Sequence, residues 1–280
     1  MRVQKCGTYN PDATQNVDVN KVTESTFLAL DRLLVYLADH KADVLDDFVT
    51  GLTSRYRSEV PNSFDNFTSF KRSHSKLSLK MLTDIPDLTE ACTDLCLTLL
   101  NVPEGYAWKP QELELLQIDD ISARYIPRYF QAKLLTELMV KEEAIKLLKN
   151  FFDFSARTYR TVERHENVTS IYEDDVNRGA EREGFIWISA LLNEGKFAGR
   201  TDVCLLHEAL KGFNDPELAY VIGCHADFVV IQKMKENFLL TRSSTLMDGP
   251  FCESCVHDTR VVSKIEHPSR EFFEKLDQNL

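Results

Sequence analysis

The fold turns on the run Phe238-Leu239-Leu240-Thr241-Arg242-Ser243-Ser244-Thr245-Leu246, on the Asp248-Gly249-Pro250 that follows it, and on Cys255-Val256-His257-Asp258-Thr259-Arg260 beyond. Phe238 to Leu246 and Val256 to Ile265 are rich in strand-forming residues, and Asp-Gly-Pro is turn chemistry, so the stretch predicts an antiparallel hairpin. Upstream the texture is helical. From Val22 to about Leu52, Phe27, Leu30, Leu33, Leu34, Leu37, Val44, Leu45, Phe48 and Val49 recur at helical spacing, with a break near His40. Asp87 to Leu100 predicts another helix with Asp87 as its cap, and further blocks start near Pro110 and at Pro127, a good first-turn residue. Residues 175–193 keep helical spacing, Gly195 and Gly199 bracket a loop, a short helix fits 203–212, and a stronger one runs from Glu217 to about Lys235.

Together these elements predict an α+β chain. A mainly helical region, 1–165, precedes a region, 166–280, in which helices layer on a small antiparallel sheet. Two strands alone make a marginal sheet. One or two more are therefore expected in 168–173 or 183–189, unless the hairpin pairs with a second copy in a homodimer.

Composition bounds the function. The chain has 280 residues, 43% hydrophobic and 28% charged, which excludes collagen-like and disordered classes. Lys and Arg number 33 against 44 Asp and Glu, a net charge of −11 that repels duplex nucleic acid. No apolar run approaches the roughly 20 residues that span a bilayer, and no apolar core of a signal peptide follows Met1. The expectation is a cytoplasmic protein with reduced thiols, no membrane partner and a small-molecule substrate. Of seven cysteines, Cys6 lies in a polar, frayed N-terminus and Cys92 and Cys96 lie in an apolar run that suits buried thiols. Cys204, Cys224, Cys252 and Cys255 gather near the C-terminus with His207, His225 and His257.

That gathering is the strongest local signal for chemistry. On the 217–235 helix, Tyr220, Cys224, Asp227 and Ile231 share one face, and a thiol one turn from a carboxylate makes a usable pair. The same spacing suits a small buried thiol beside a salt-bridging aspartate. In the hairpin, Cys255, His257 and Thr259 face one side and Val256, Asp258 and Arg260 the other. Cys255 beside His257 suits thiolate catalysis, because an imidazole lowers a thiol pKa and can protonate a leaving group. The rival chemistry is zinc held by Cys224, Cys252, Cys255 and His257. Arg242 and Arg260, with Thr245 nearby, suit a pocket for a substrate carboxylate.

The run Cys224-His225-Ala226-Asp227, Phe238 to Arg242, Thr245-Leu246, Gly249 and Cys255 to Arg260 resembles the L-2-amino-thiazoline-4-carboxylic acid hydrolase family over about residues 170–262. The resemblance implies a hydrolase that acts on a cyclic carbon–nitrogen bond and opens an aminothiazoline ring to a carbamoyl-cysteine. On that reading Cys255 or Cys224 attacks the amidine carbon, His257 moves the proton, Asp227 or Asp258 orients it, and Arg242 or Arg260 holds the carboxylate. It needs no cofactor. The zinc alternatives are metal-delivered hydroxide and a zinc-stapled sensing domain without catalysis.

Overall fold

The computed structural model describes residues 1–60, 77–103, 112–179 and 183–280. It is an α+β protein that divides into two compact units, one made of Thr14–Phe151 and the other of Met1–Ala13 with Phe152–Leu280.

The first unit is helical. Val19–His40, Leu45–Ser58, Pro86–Leu99 and Gln117–Leu138 pack on one another. Phe27, Leu30, Leu34, Leu37, Phe48, Leu52 and Tyr56 are fully buried, each contributing about 1.5–3 kcal/mol of transfer free energy. The expected break near His40 falls between the first two helices. Cys92 and Cys96 are buried, as their apolar run predicts. Pro86, not Asp87, opens its helix, with Ile85 in the cap position. Pro127 is not a first-turn residue: it lies inside Gln117–Leu138, and its carbonyl accepts the Tyr56 hydroxyl at 3.1 Å. The block expected near Pro110 starts outside the described residues; Glu112–Leu116 is a strand paired with Thr14–Asp18.

The second unit carries a five-stranded antiparallel sheet. Its strands, numbered with the other pair in chain order, are β1 (Arg2–Cys6), β4 (Phe185–Asn193), β5 (Lys196–Cys204), β6 (Phe238–Arg242) and β7 (Cys252–Asp258), ordered β1-β4-β5-β7-β6. The hairpin is present, with Thr241 opposite Cys255, but its second strand ends at Asp258 rather than Ile265. The strand expected in 183–189 is β4, so the helical spacing over 175–193 holds only to Gly179. β5 runs through Gly199, where a loop was expected, and Cys6 is buried on a paired strand rather than frayed.

The pleat gives the sheet two different faces. Helix Val168–Gly179 covers one through Val168, Ile171 and Tyr172, which pack on Leu191, Phe197, Phe238 and Val256. On the other, Phe273 and Leu276 pack on Ile188, Ala190, Ala198 and Cys255. The expected single helix over 217–235 is two, Pro216–Gly223 and Asp227–Met234. The cause is local. A Cβ on Gly223 would stand 2.4 Å from Leu206 Cδ2, so the helix end lies close against that side chain. Beyond it the Cys224 carbonyl turns away from the helix ladder and accepts from Asp227 N at 3.2 Å and Arg242 Nη1 at 3.1 Å.

Candidate functional site

The helix break builds the site. Cys224 closes Pro216–Gly223, Asp227 opens Asp227–Met234, and Arg242 reaches both from the end of β6. Its Nη2 donates to Asp227 Oδ2 at 2.9 Å while Nη1 holds the Cys224 carbonyl. The Arg242 side chain is 12% exposed and that of Asp227 38%, so the pair sits at the edge of the interior. Arg242 Nε is buried and has no partner among the described residues. Cys252, on the same side of β7 as Ser254 and Val256, accepts the Leu246 N–H at 3.2 Å.

These groups feel one another. Burial, followed by the Asp227 carboxylate, drives the Cys224 thiol well above the ordinary thiol range, against the pull of Arg242. Burial pushes Cys252 up to about 11, opposed by the Leu246 N–H and Arg242 and assisted by Cys204. Tyr220 is raised by burial and registers Arg242, Cys224, Asp227 and Asp248. Cys204 and Tyr220, which the sequence flags, and Asp248, which it does not mark as part of a site, thus act electrostatically on this cluster. Thr245 does not line it as a free hydroxyl: its Oγ1 and N–H both donate to Asp248 Oδ1, at 3.0 and 2.8 Å, and fix the turn after β6.

Beside the cluster lies a cleft of about 330 Å³ lined by His207, Lys211, Asn214, Asp215, Ala219 and Met247. Of its lining, Ala219 and Met247 are chain neighbours of Tyr220 and Leu246. His207 Nδ1 is buried without a partner among the described residues.

Cys255 and His257 lie on the other face. Cys255 is fully buried among Ile188, Ala198 and Phe273, and burial pushes its thiol up to about 12. His257 is held down at about 4 by burial, then by Lys196 and His267. Its Nε2 shares Thr241 Oγ1 at 2.8 Å; that hydroxyl also meets His267 Nδ1 at 2.9 Å. His267 Nε2 stands 3.1 Å from Ser243 Oγ, which donates to Glu253. The result is a hydrogen-bonded chain from buried His257 to buried Glu253 that passes through exposed Ser243.

The strand alternation read from the sequence therefore separates the candidates. Cys224, Asp227, Arg242 and Cys252 come together, and Cys255 and His257 are set apart with Thr241. The four residues of the zinc alternative do not form one centre, because successive β7 side chains point to opposite faces. Arg242 and Arg260 do not share a pocket either. Arg260 binds Asp258 through Nη2 at 2.5 Å and the Glu166 carbonyl at 2.8 Å, and its hydrogen bonds hold Asp258 below the usual carboxylate range.

Residues 124–256 match the family model described as L-2-amino-thiazoline-4-carboxylic acid hydrolase. This is the family the sequence resembles, and the match, which supports a hydrolase, begins upstream of the expected 170. No curated protein and no solved structure gives a match. Among the described residues no helix is long and apolar enough to cross a membrane.

Proposed function

We propose that the chain is a thiol-dependent hydrolase that opens the cyclic amidine of a small carboxylated substrate of the 2-aminothiazoline-4-carboxylate kind, with the Cys224–Asp227–Arg242–Cys252 cluster as its reacting centre. The observation that carries this reading is the unpartnered, buried Nε of Arg242 beside a carboxylate and two thiols. A guanidinium and a carboxylate 2.9 Å apart match a zwitterion: the substrate carboxylate takes the Nε–H and its protonated amidine lies toward Asp227. The adjoining cleft is the way in.

Cys252 is the nucleophile. Its thiol is protonated at neutral pH, so attack waits for the substrate, whose amidinium charge lowers the thiol pKa as it arrives. The Leu246 N–H supports the thiolate and Asp227 takes the proton. Sulfur bonds to the amidine carbon and the C=N pair moves to nitrogen. The ring bond then breaks, its leaving atom taking the electron pair and the proton from Asp227. Water displaces the sulfur and restores the thiol. Net, one water is consumed and nothing is oxidised or reduced.

The test follows ring opening of 2-aminothiazoline-4-carboxylate by the whole chain. Cys252→Ser is expected to fall below one-hundredth of the wild-type rate, with Cys255→Ser within threefold of it. An active Cys252→Ser protein, or loss of turnover with Cys255→Ser at unchanged stability, overturns the assignment.

A further inference from the structure

Away from this cluster, the segment before helix Val168–Gly179 runs back along it and brings together three side chains that the hydrolytic reading does not use. One oxygen each from Glu163 and Asp174 and one ring nitrogen of His165 lie within 4.8 Å of one another. Asp174 stands on the second turn of the helix, whose start is fixed by Asn167 Oδ1 accepting the Ser170 N–H at 2.9 Å. His165 is only 8% exposed. Yet, among the described residues, no hydrogen bond reaches its ring. A largely buried imidazole that takes no hydrogen bond from a described residue, with a ring nitrogen beside two carboxylates, is a donor set suited to a cation.

A cation is already drawn there. Arg178 Nη2 lies 2.7 Å from Glu163 Oε2 and 2.5 Å from Asp174 Oδ2. Its side chain is more than half exposed, so this ion pair is screened and weak and the guanidinium is free to swing out. It satisfies the carboxylates, and among the described residues it makes no hydrogen bond to the His165 ring. A divalent metal satisfies all three.

We propose that Glu163, His165 and Asp174 form a divalent-metal site of the zinc class, with Arg178 as a displaceable internal cation that competes for it. One imidazole and two carboxylates are a nitrogen–oxygen set suited to Zn²⁺, and three protein ligands leave a position for water or an incoming anion. The site is independent of the thiol cluster and of its chemistry. Bound metal would tie residues 163–165 to the helix that covers one face of the sheet.

The experiment measures Zn²⁺ affinity of the full chain against a chromophoric chelator, at pH 7.5 with the thiols reduced. Wild type is expected to bind one Zn²⁺ per chain. His165→Ala is expected to weaken it at least tenfold, and Arg178→Ala to tighten it at least fivefold by removing the competitor. Melting curves without metal separate lost binding from lost folding. If His165→Ala does not fold, Glu163→Gln stands in, with the same tenfold weakening expected. Unchanged affinity in the weakening variant, no tightening in Arg178→Ala, or Zn²⁺ that is lost only with Cys224→Ser and Cys252→Ser overturns the proposal.

Discussion

The two faces of the β6–β7 hairpin use similar residue types to opposite ends. On one, Arg242 and Cys252 meet Asp227 and Cys224 at a broken helix, with a half-exposed carboxylate, an unpartnered guanidinium nitrogen and a cleft alongside. On the other, Thr241, Ser243, Glu253, His257 and His267 join in a hydrogen-bonded chain in which Glu253 is 1% exposed and His257 fully buried. The first face opens through a part-exposed carboxylate; the second runs from buried His257 and Glu253 out to exposed Ser243. Reactive residue types alone therefore do not locate a site. Reach counts as well: the Asp227 side chain is 38% exposed, whereas Glu253 and His257 are buried.

The largest expected effect breaks the first face. Arg242→Met removes the proposed carboxylate anchor and strands Asp227. Turnover should drop at least a hundredfold, with a loss of about 2 kcal/mol because the pair is only partly buried. Chemical unfolding and the ring-opening assay together check this, and an active variant would merge the two faces into one structural class. Glu253→Ala should do the reverse. Leaving Ser243 and His267 without their acceptor costs about 2 kcal/mol, yet turnover of the folded protein should stay within threefold.

Acid should also act on the second face. His257 is neutral in the fold, with its pKa down at about 4, whereas the unfolded chain takes up a proton near the ordinary histidine value of 6.5. The unfolded state thus binds more protons between those values, so the contribution of His257 to stability is full above pH 6.5 and is lost as pH falls toward 4. Melting temperatures should decline through this window, and His257→Asn should flatten the decline. A decline of unchanged steepness in that variant would move its origin to another group.

The smallest effect is kinetic. Cys252, at about 11 with a backbone donor, should alkylate ahead of Cys255, at about 12 in the core, and both rates should rise roughly tenfold per pH unit below those values. Mass spectrometry of partly alkylated protein gives the order. Equal rates would show that local opening, not thiol ionisation, controls access.

Much of the architecture was legible from pattern. The helical pair around His40 and the Phe238 hairpin carry the spacings their structures require. β4 fills the strand expected in 183–189, but its extent is not legible, because Phe185–Asn193 is apolar toward both faces and loses the alternation that marks a half-buried strand. β1 was hidden by its polar edge composition. At the site, the strand parity of β7 was readable and separates Cys252 from Cys255. The helix break at Cys224 was not, since it depends on Leu206 and Arg242, distant in sequence. His267 escaped notice for the same reason: nothing local ties it to Ser243 and Glu253.

The edge strand β1 has a consequence for how the protein is made. Its register partner, running from Arg2 opposite Leu191 to Cys6 opposite Trp187, lies about 180 residues further along the chain. At ribosomal speeds of roughly 5–20 residues per second, the first strand synthesised waits about 10–35 s for its neighbour to emerge. The polar side chains on Gln4 and Lys5 that hid the strand from sequence reading are what keep an unpaired edge soluble through that interval.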